Sequence, residues 1–154
     1  MNNIVLSIII PCFNEQEIVL KTYDKIIEAF SDHQCKLEII FIDDGSEDNT
    51  LTILEELSKK DKSIRVIAFS RNFGHQPAVS AGLEYAKGDI VSIIDADLQD
   101  PPNVIVSMIE EWKNGAKVVY GVRKNRKESI YKKISYYIFY RIYATISDID
   151  VALD

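Results

Sequence analysis

Apolar runs at residues 5–10, 37–42, 64–69, 90–94 and 116–120 recur along the chain, each short enough for a buried strand and each followed by polar or turn-forming residues. Between them lie stretches with helical spacing. Residues 17–30 put Ile18, Ile26, Ile27 and Phe30 on one face. Residues 49–60 do the same with Leu51, Leu54 and Leu57 behind a capping Asp48. A third helix is expected from Pro77 to a stop near Gly88, and a fourth over 102–113, closing near Asn114-Gly115. Strand and helix alternate throughout. That pattern predicts an α/β fold, a mostly parallel sheet with helices on both faces. No linker interrupts residues 1–122, which are expected to form one core.

In a parallel sheet the strand exits share one edge. Here every exit is polar: Asn14 and Glu15; Asp43 and Asp44; Arg71 and Asn72; Asp95 and Asp97; Arg123. Five polar exits on one edge predict a continuous binding site rather than scattered surface charge.

The fourth exit is the most specific. The run Ile90-Val91-Ser92-Ile93-Ile94 gives way to Asp95-Ala96-Asp97-Leu98-Gln99 and then Asp100-Pro101-Pro102. The strand is expected to end at Asp95, with the prolines stopping it and preparing the next helix. Asp95 and Asp97, with Gln99 as a neutral third donor, offer hard oxygen ligands suited to Mg²⁺ or Mn²⁺ rather than zinc. Read structurally, the same spacing makes an Asx turn. A divalent ion held there neutralises a diphosphate as it departs. Arg123 is placed for charge-assisted bonds to those phosphates. Asp43 and Asp44 suit a base N–H or ribose hydroxyls, or an Asp-Gly turn. Glu15 sits near a helix start, whose dipole alone favours it. His75 is expected to pack its own loop, with contact to ligand phosphate as the alternative, and His33 to lie on the surface, since no second His or Cys supports a metal site.

The two cysteines, Cys12 and Cys35, lack metal-ligand spacing and read as reduced thiols. No apolar run approaches the ~20 residues of a membrane span, and Met1-Asn2-Asn3 lacks the basic start of a signal peptide. Charge is distributed unevenly. Between Arg123 and Ser147 seven basic residues face the single acid Glu128, a balance of +6, which leaves −12 on the rest of a chain of net charge −6. In that basic segment Tyr131, Tyr136, Tyr137, Tyr140 and Tyr143 interleave with Ile130, Ile134, Ile138 and Ile142. Residues 123–154 therefore read as an amphipathic, tyrosine-rich segment, either packed on a core or lying on an anionic membrane surface.

Taken jointly, four segments resemble the family 2 glycosyltransferases of GT-A fold: Ser7-Ile8-Ile9-Ile10-Pro11-Cys12-Phe13-Asn14-Glu15, Phe41-Ile42-Asp43-Asp44-Gly45-Ser46, Ser70-Arg71-Asn72-Phe73-Gly74-His75-Gln76, and Asp95 to Pro102. More closely, the chain is similar to polyprenyl-phosphate glycosyltransferases, a group that includes dolichol-phosphate mannose synthase and bactoprenol glucosyltransferases. The resemblance implies that Pro11, Phe13, Glu15, Asp43 and Asp44 line a nucleotide pocket. It implies that Asp95, Asp97 and Gln99 hold Mg²⁺ or Mn²⁺, and that Arg123 binds diphosphate or acceptor phosphate. The reaction implied is inverting transfer of a hexose from a UDP- or GDP-sugar to a polyprenyl phosphate, with transfer to a glycan hydroxyl as the alternative. An acceptor phosphate with a second pKa near 6 is already ionised at neutral pH, so a strong general base is less necessary. Family members usually continue further, often into C-terminal membrane helices. The chain thus reads as the N-terminal part of a protein on the cytoplasmic side of a membrane, with Asp150 and Asp154 near the expected acceptor-side acid. No nucleic-acid partner is implied, and homo-oligomerisation is left open.

Other classes fit less well. Haloacid-dehalogenase-like phosphatases carry Asp-x-Asp on the first strand and use the first Asp as nucleophile. Receiver-like modules need a Lys at the fifth exit. Dinucleotide oxidoreductases need Gly-x-Gly-x-x-Gly after the first strand, which is missing here.

Overall fold

A computed structural model describes residues 4–122 of the chain. The chain divides into two units at Tyr120/Gly121. The first unit holds every strand and helix among the described residues. Residues 123–154, with Arg123, the tyrosine-rich segment, Asp150 and Asp154, lie outside the described residues.

Four strands and four helices alternate: β1 (Ile4–Cys12), α1 (Val19–Phe30), β2 (Cys35–Asp43), α2 (Thr50–Lys60), β3 (Ile64–Ala68), α3 (His75–Tyr85), β4 (Ile90–Ile93) and α4 (Asn103–Lys113). All three strand pairings are parallel, and the sheet order is β3-β2-β1-β4. Side-chain alternation along β1 sorts the core into two layers. Leu6, Ile8 and Ile10 join Ile39, Phe41, Leu54 and residues of α1 and α4 on one face. Ile9 joins Ile40, Ile42 and Ala78 on the other. α3 can approach that second face closely because residue 82 is glycine. A Cβ there would stand 2.3 Å from Ile9 Cγ2.

The expected fifth strand is not formed among the described residues. Residues 116–120 pair with no strand among the described residues, and Val118 and Tyr120 are left 81 % and 77 % exposed. An apolar run becomes a strand only when a neighbouring ladder takes up its backbone groups. The fourth strand also ends two residues early, at Ile93, and α3 starts at His75 rather than Pro77.

A polar knot ties the opposite end of the sheet to the end of α3. Glu38 accepts from the Ser7 hydroxyl and the Lys87 N–H with one oxygen and from Arg65 Nη1 with the other (2.9 Å). Arg65 also donates to the Tyr85 carbonyl at 2.7 Å. Burial alone would raise the Glu38 carboxyl, but the bonds from Ser7, Lys87 and Arg65 outweigh it and hold it below its ordinary 4.5. A carboxyl lowered by folding contributes its full stabilisation above the unfolded value and loses it as pH falls through the folded one. Glu38→Gln is therefore expected to cost about 2 kcal/mol at pH 7. The gap from the parent should narrow in urea titrations run below pH 4.5. A gap constant from pH 7 to pH 3 would contradict this.

Candidate functional site

The chain runs from β1 outward to β3 and then returns to the other side of β1 for β4. The loops after β1 and β4 lead to α1 and α4 on one face of the sheet, whereas the loop after β3 leads to α3 on the other, and a crevice lies at the carboxyl ends of the strands where the order reverses. A cavity of about 300 Å³ lies there. The β1 exit supplies Pro11, Cys12, Phe13 and Glu15, and the β2 exit supplies Asp44. Asn72, Gly74, His75 and Ala78 come from the β3 exit and α3, and Asp95, Ala96 and Asp97 from the β4 exit.

The first two exits are locked together before any ligand arrives. The Asn14 N–H donates to Ser46 Oγ (2.9 Å), and the Glu47 N–H donates back to Asn14 Oδ1 (2.8 Å). The Glu15 N–H donates to Thr50 Oγ1 (2.8 Å), and the Gln16 N–H to Asp48 Oδ2 (3.2 Å). Asp48 in turn accepts from the Thr50 N–H at 2.9 Å. Short polar side chains thus satisfy the loop backbone, as at helix caps and Asx turns. Gly45 permits the third exit to join them. Its φ is +69°, and a Cβ would lie 2.3 Å from the Arg71 carbonyl carbon.

The paired acids at the β2 exit have separate fates. Asp43 is the last strand residue, so alternation turns it away from α3; it is 1 % exposed and does not line the cavity. Its Oδ2 accepts from the Ser46 N–H at 3.2 Å, while Oδ1 has no partner among the described residues. Asp44 lines the cavity but is 4 % exposed. Its two oxygens accept from the N–H groups of Phe73 (2.7 Å) and Gly74 (2.9 Å). It therefore ties down the loop after β3.

At the β4 exit both Asp95 and Asp97 lie beyond the strand, in a turn that carries Leu98 at φ +58°. The strand's two-residue alternation no longer applies, and both acids line the cavity. The Gln99 N–H donates to Asp97 Oδ1 (3.0 Å), but Gln99 itself is not among the lining residues. His75, expected to pack its loop or to touch ligand phosphate, bonds Asp95 Oδ1 through Nε2 at 3.0 Å and lines the cavity. Asn72, one of the expected polar exit residues, also lines the cavity, as does Ala78, which sequence pattern does not mark.

Electrostatics complete the site. Glu15, Asp44, Asp95 and Asp97 line the cavity, and no Lys or Arg among the described residues does. The Glu15 carboxyl is pushed above its ordinary value by burial first, then by the charges of Asp97 and Asp48. A site of this sign repels a diphosphate unless a cation enters with it. The donors are carboxylates, which suit Mg²⁺ or Mn²⁺. No three ligating side chains among the described residues converge into a closed cage. Mg²⁺ sites commonly have this character: one or two carboxylates, with the remaining positions filled by water and substrate oxygens.

Known proteins match this chain closely. The family model described as Glycosyl transferase family 2 matches residues 7–150. An uncharacterized glycosyltransferase of Bacillus subtilis, YkcC, is 44 % identical over 153 residues, covering 99 % of this chain and 47 % of that protein. The bactoprenol glucosyl transferase of Shigella phage SfV is 39 % identical over 143 residues, covering 92 % of this chain and 47 % of that protein. The chain thus spans about half the length of these curated relatives. A mannosyltransferase of Pyrobaculum calidifontis, PcManGT, solved with GDP-Man and Mn²⁺, superposes with a TM-score of 0.64 at 23 % identity. That superposition covers 77 % of this chain and 34 % of the other, and it establishes a shared fold.

Proposed function

The chain belongs to glycosyl transferase family 2, and from that premise we propose that it moves a hexose from a nucleoside-diphosphate sugar to a polyprenyl phosphate, with Mg²⁺ or Mn²⁺ as cofactor. The observation that carries this reading is a switch-point cavity lined by Glu15, Asp44, Asp95 and Asp97 with no Lys or Arg among the described residues to offset them. It accepts a nucleoside diphosphate only together with a cation. The bactoprenol glucosyl transferase relatives support the acceptor class.

Pro11 and the half-exposed Phe13 offer apolar surface to a base. Glu15 carries a carboxylate with no hydrogen bond of its own among the described residues, suited to ribose hydroxyls or a base N–H. Asp43 and Asp44 hold the walls of this pocket in place. Asp95 and Asp97 would hold the divalent ion, with Gln99 close by in sequence. A bound ion supplies Lewis-acid stabilisation of the departing diphosphate. Arg123 is assigned to phosphate by resemblance. The excess positive charge of residues 123–147 suits an anionic membrane surface, and no helix among the described residues is long and apolar enough to cross a membrane.

Thermal denaturation with UDP, GDP and their hexose conjugates, with and without Mn²⁺, tests the donor side. Ligand at a hundred times its dissociation constant should stabilise the fold by about 2.7 kcal/mol, and only when Mn²⁺ is present. Equal stabilisation in a chelator, or none with any nucleotide, would refute the reading. Transfer of labelled hexose into an organic-extractable product tests the acceptor. Label found only on a soluble glycan would move the assignment to a hydroxyl acceptor.

A further inference from the structure

The turn that carries Asp95 and Asp97 is held from behind by a residue outside the cavity. Thr22, fully buried on α1, donates its hydroxyl to the Ala96 carbonyl at 2.6 Å, across 74 residues of sequence. A threonine inside a helix ordinarily bonds the carbonyl four residues back. Here that oxygen, on Ile18, stands farther off at 3.2 Å. A hydroxyl has one proton to give, and the shorter contact goes to Ala96.

Three features make this bond matter to the acids. Ala96 is 3 % exposed within the apolar core layer, where a carbonyl needs a partner. Its peptide groups flank both Asp95 and Asp97, so any rotation there swings both carboxylates. The turn also contains Leu98 at φ +58°, a conformation that a branched residue adopts only when its surroundings impose it. We propose that Thr22 is a positioning residue: its hydroxyl fixes the Ala96 carbonyl and thereby aims Asp95 and Asp97 at a shared divalent cation. This inference rests on the cation role proposed for those two acids.

Thr22→Val keeps the shape and removes the donor. Mn²⁺ binding by the whole chain, followed by the electron paramagnetic resonance of free Mn²⁺ with UDP or GDP present, should weaken about tenfold to a hundredfold, as when partners behind metal ligands are lost. Thr22→Ser retains the donor and should restore binding. Parent-like Mn²⁺ binding by Thr22→Val, whatever happens to its melting temperature, overturns the proposal. Thr22→Ala is read by the same criterion should the valine variant not fold. Asp97→Asn separates the two ideas. If that variant loses Mn²⁺ and Thr22→Val does not, Thr22 is a core residue only. If neither loses it, the cation reading itself fails.

Discussion

Asp97→Asn is expected to abolish the Mn²⁺ dependence of nucleotide binding while leaving the fold intact. The substitution preserves shape and retains an oxygen able to accept from the Gln99 N–H, the one hydrogen bond the Asp97 side chain makes among the described residues. It removes one of the two carboxylates that face the cavity from the β4 exit and are proposed to hold the cation. Losing a charged ligand from such a site is worth about 3 kcal/mol or more, roughly a hundredfold in affinity. Stability should move the other way. Glu15 is pushed up by burial and then by Asp97, so neutralising Asp97 relieves repulsion and returns the Glu15 carboxyl toward its ordinary range. A carboxyl raised in the folded state destabilises the protein at pH values above that shift. The variant should therefore melt no lower than the parent at pH 7. Isothermal titration of UDP and GDP with Mn²⁺, beside calorimetric melting, reads both effects. Undiminished Mn²⁺-dependent binding would remove Asp97 from the cation site.

Which parts of this arrangement are legible in the sequence depends on what sets each of them. Strand–helix alternation and the parallel sheet depend on runs of apolar residues, and those are local. The polar exits are legible for the same reason, since they end the runs. The separate fates of Asp43 and Asp44 are not. They depend on where the strand's alternation stops and on where the N–H groups of Phe73 and Gly74 come to lie, 29 and 30 residues away. His75 and Thr22 escape sequence reading on similar grounds. Each reaches the β4 exit from a different helix, and no periodicity marks an imidazole or a hydroxyl as the partner of a distant turn. The run at residues 116–120 shows the opposite error. Its composition suits a strand, but a strand also requires a neighbour with open backbone groups, and sequence pattern carries no information about that.

Asp44→Asn should be the most damaging single-atom change in the described fold. If Asp44 mainly contacted nucleotide, the amide would weaken binding and leave the melting temperature nearly unchanged, as for substitutions away from buried networks. The geometry leads elsewhere. Both carboxylate oxygens accept backbone N–H groups in a nearly water-free position. Asparagine has one oxygen, so its NH₂ must face the N–H of either Phe73 or Gly74, donor against donor. One buried N–H is left unpaired, and the remaining bond loses its charge assistance. Together these cost about 3 kcal/mol, or a fall of about 6–12 °C in melting temperature for a chain of this size. The loop so released carries Asn72, Gly74 and His75, which line the cavity and include the partner of Asp95. Nucleotide affinity should therefore fall along with stability, and saturating nucleotide with Mn²⁺ should recover only part of the loss. A melting temperature within a degree or two of the parent, with binding impaired, would instead make Asp44 a direct nucleotide ligand and leave the β3 exit loop held by other contacts, among them the close approach of Gly45 to Arg71 and the His75–Asp95 bond.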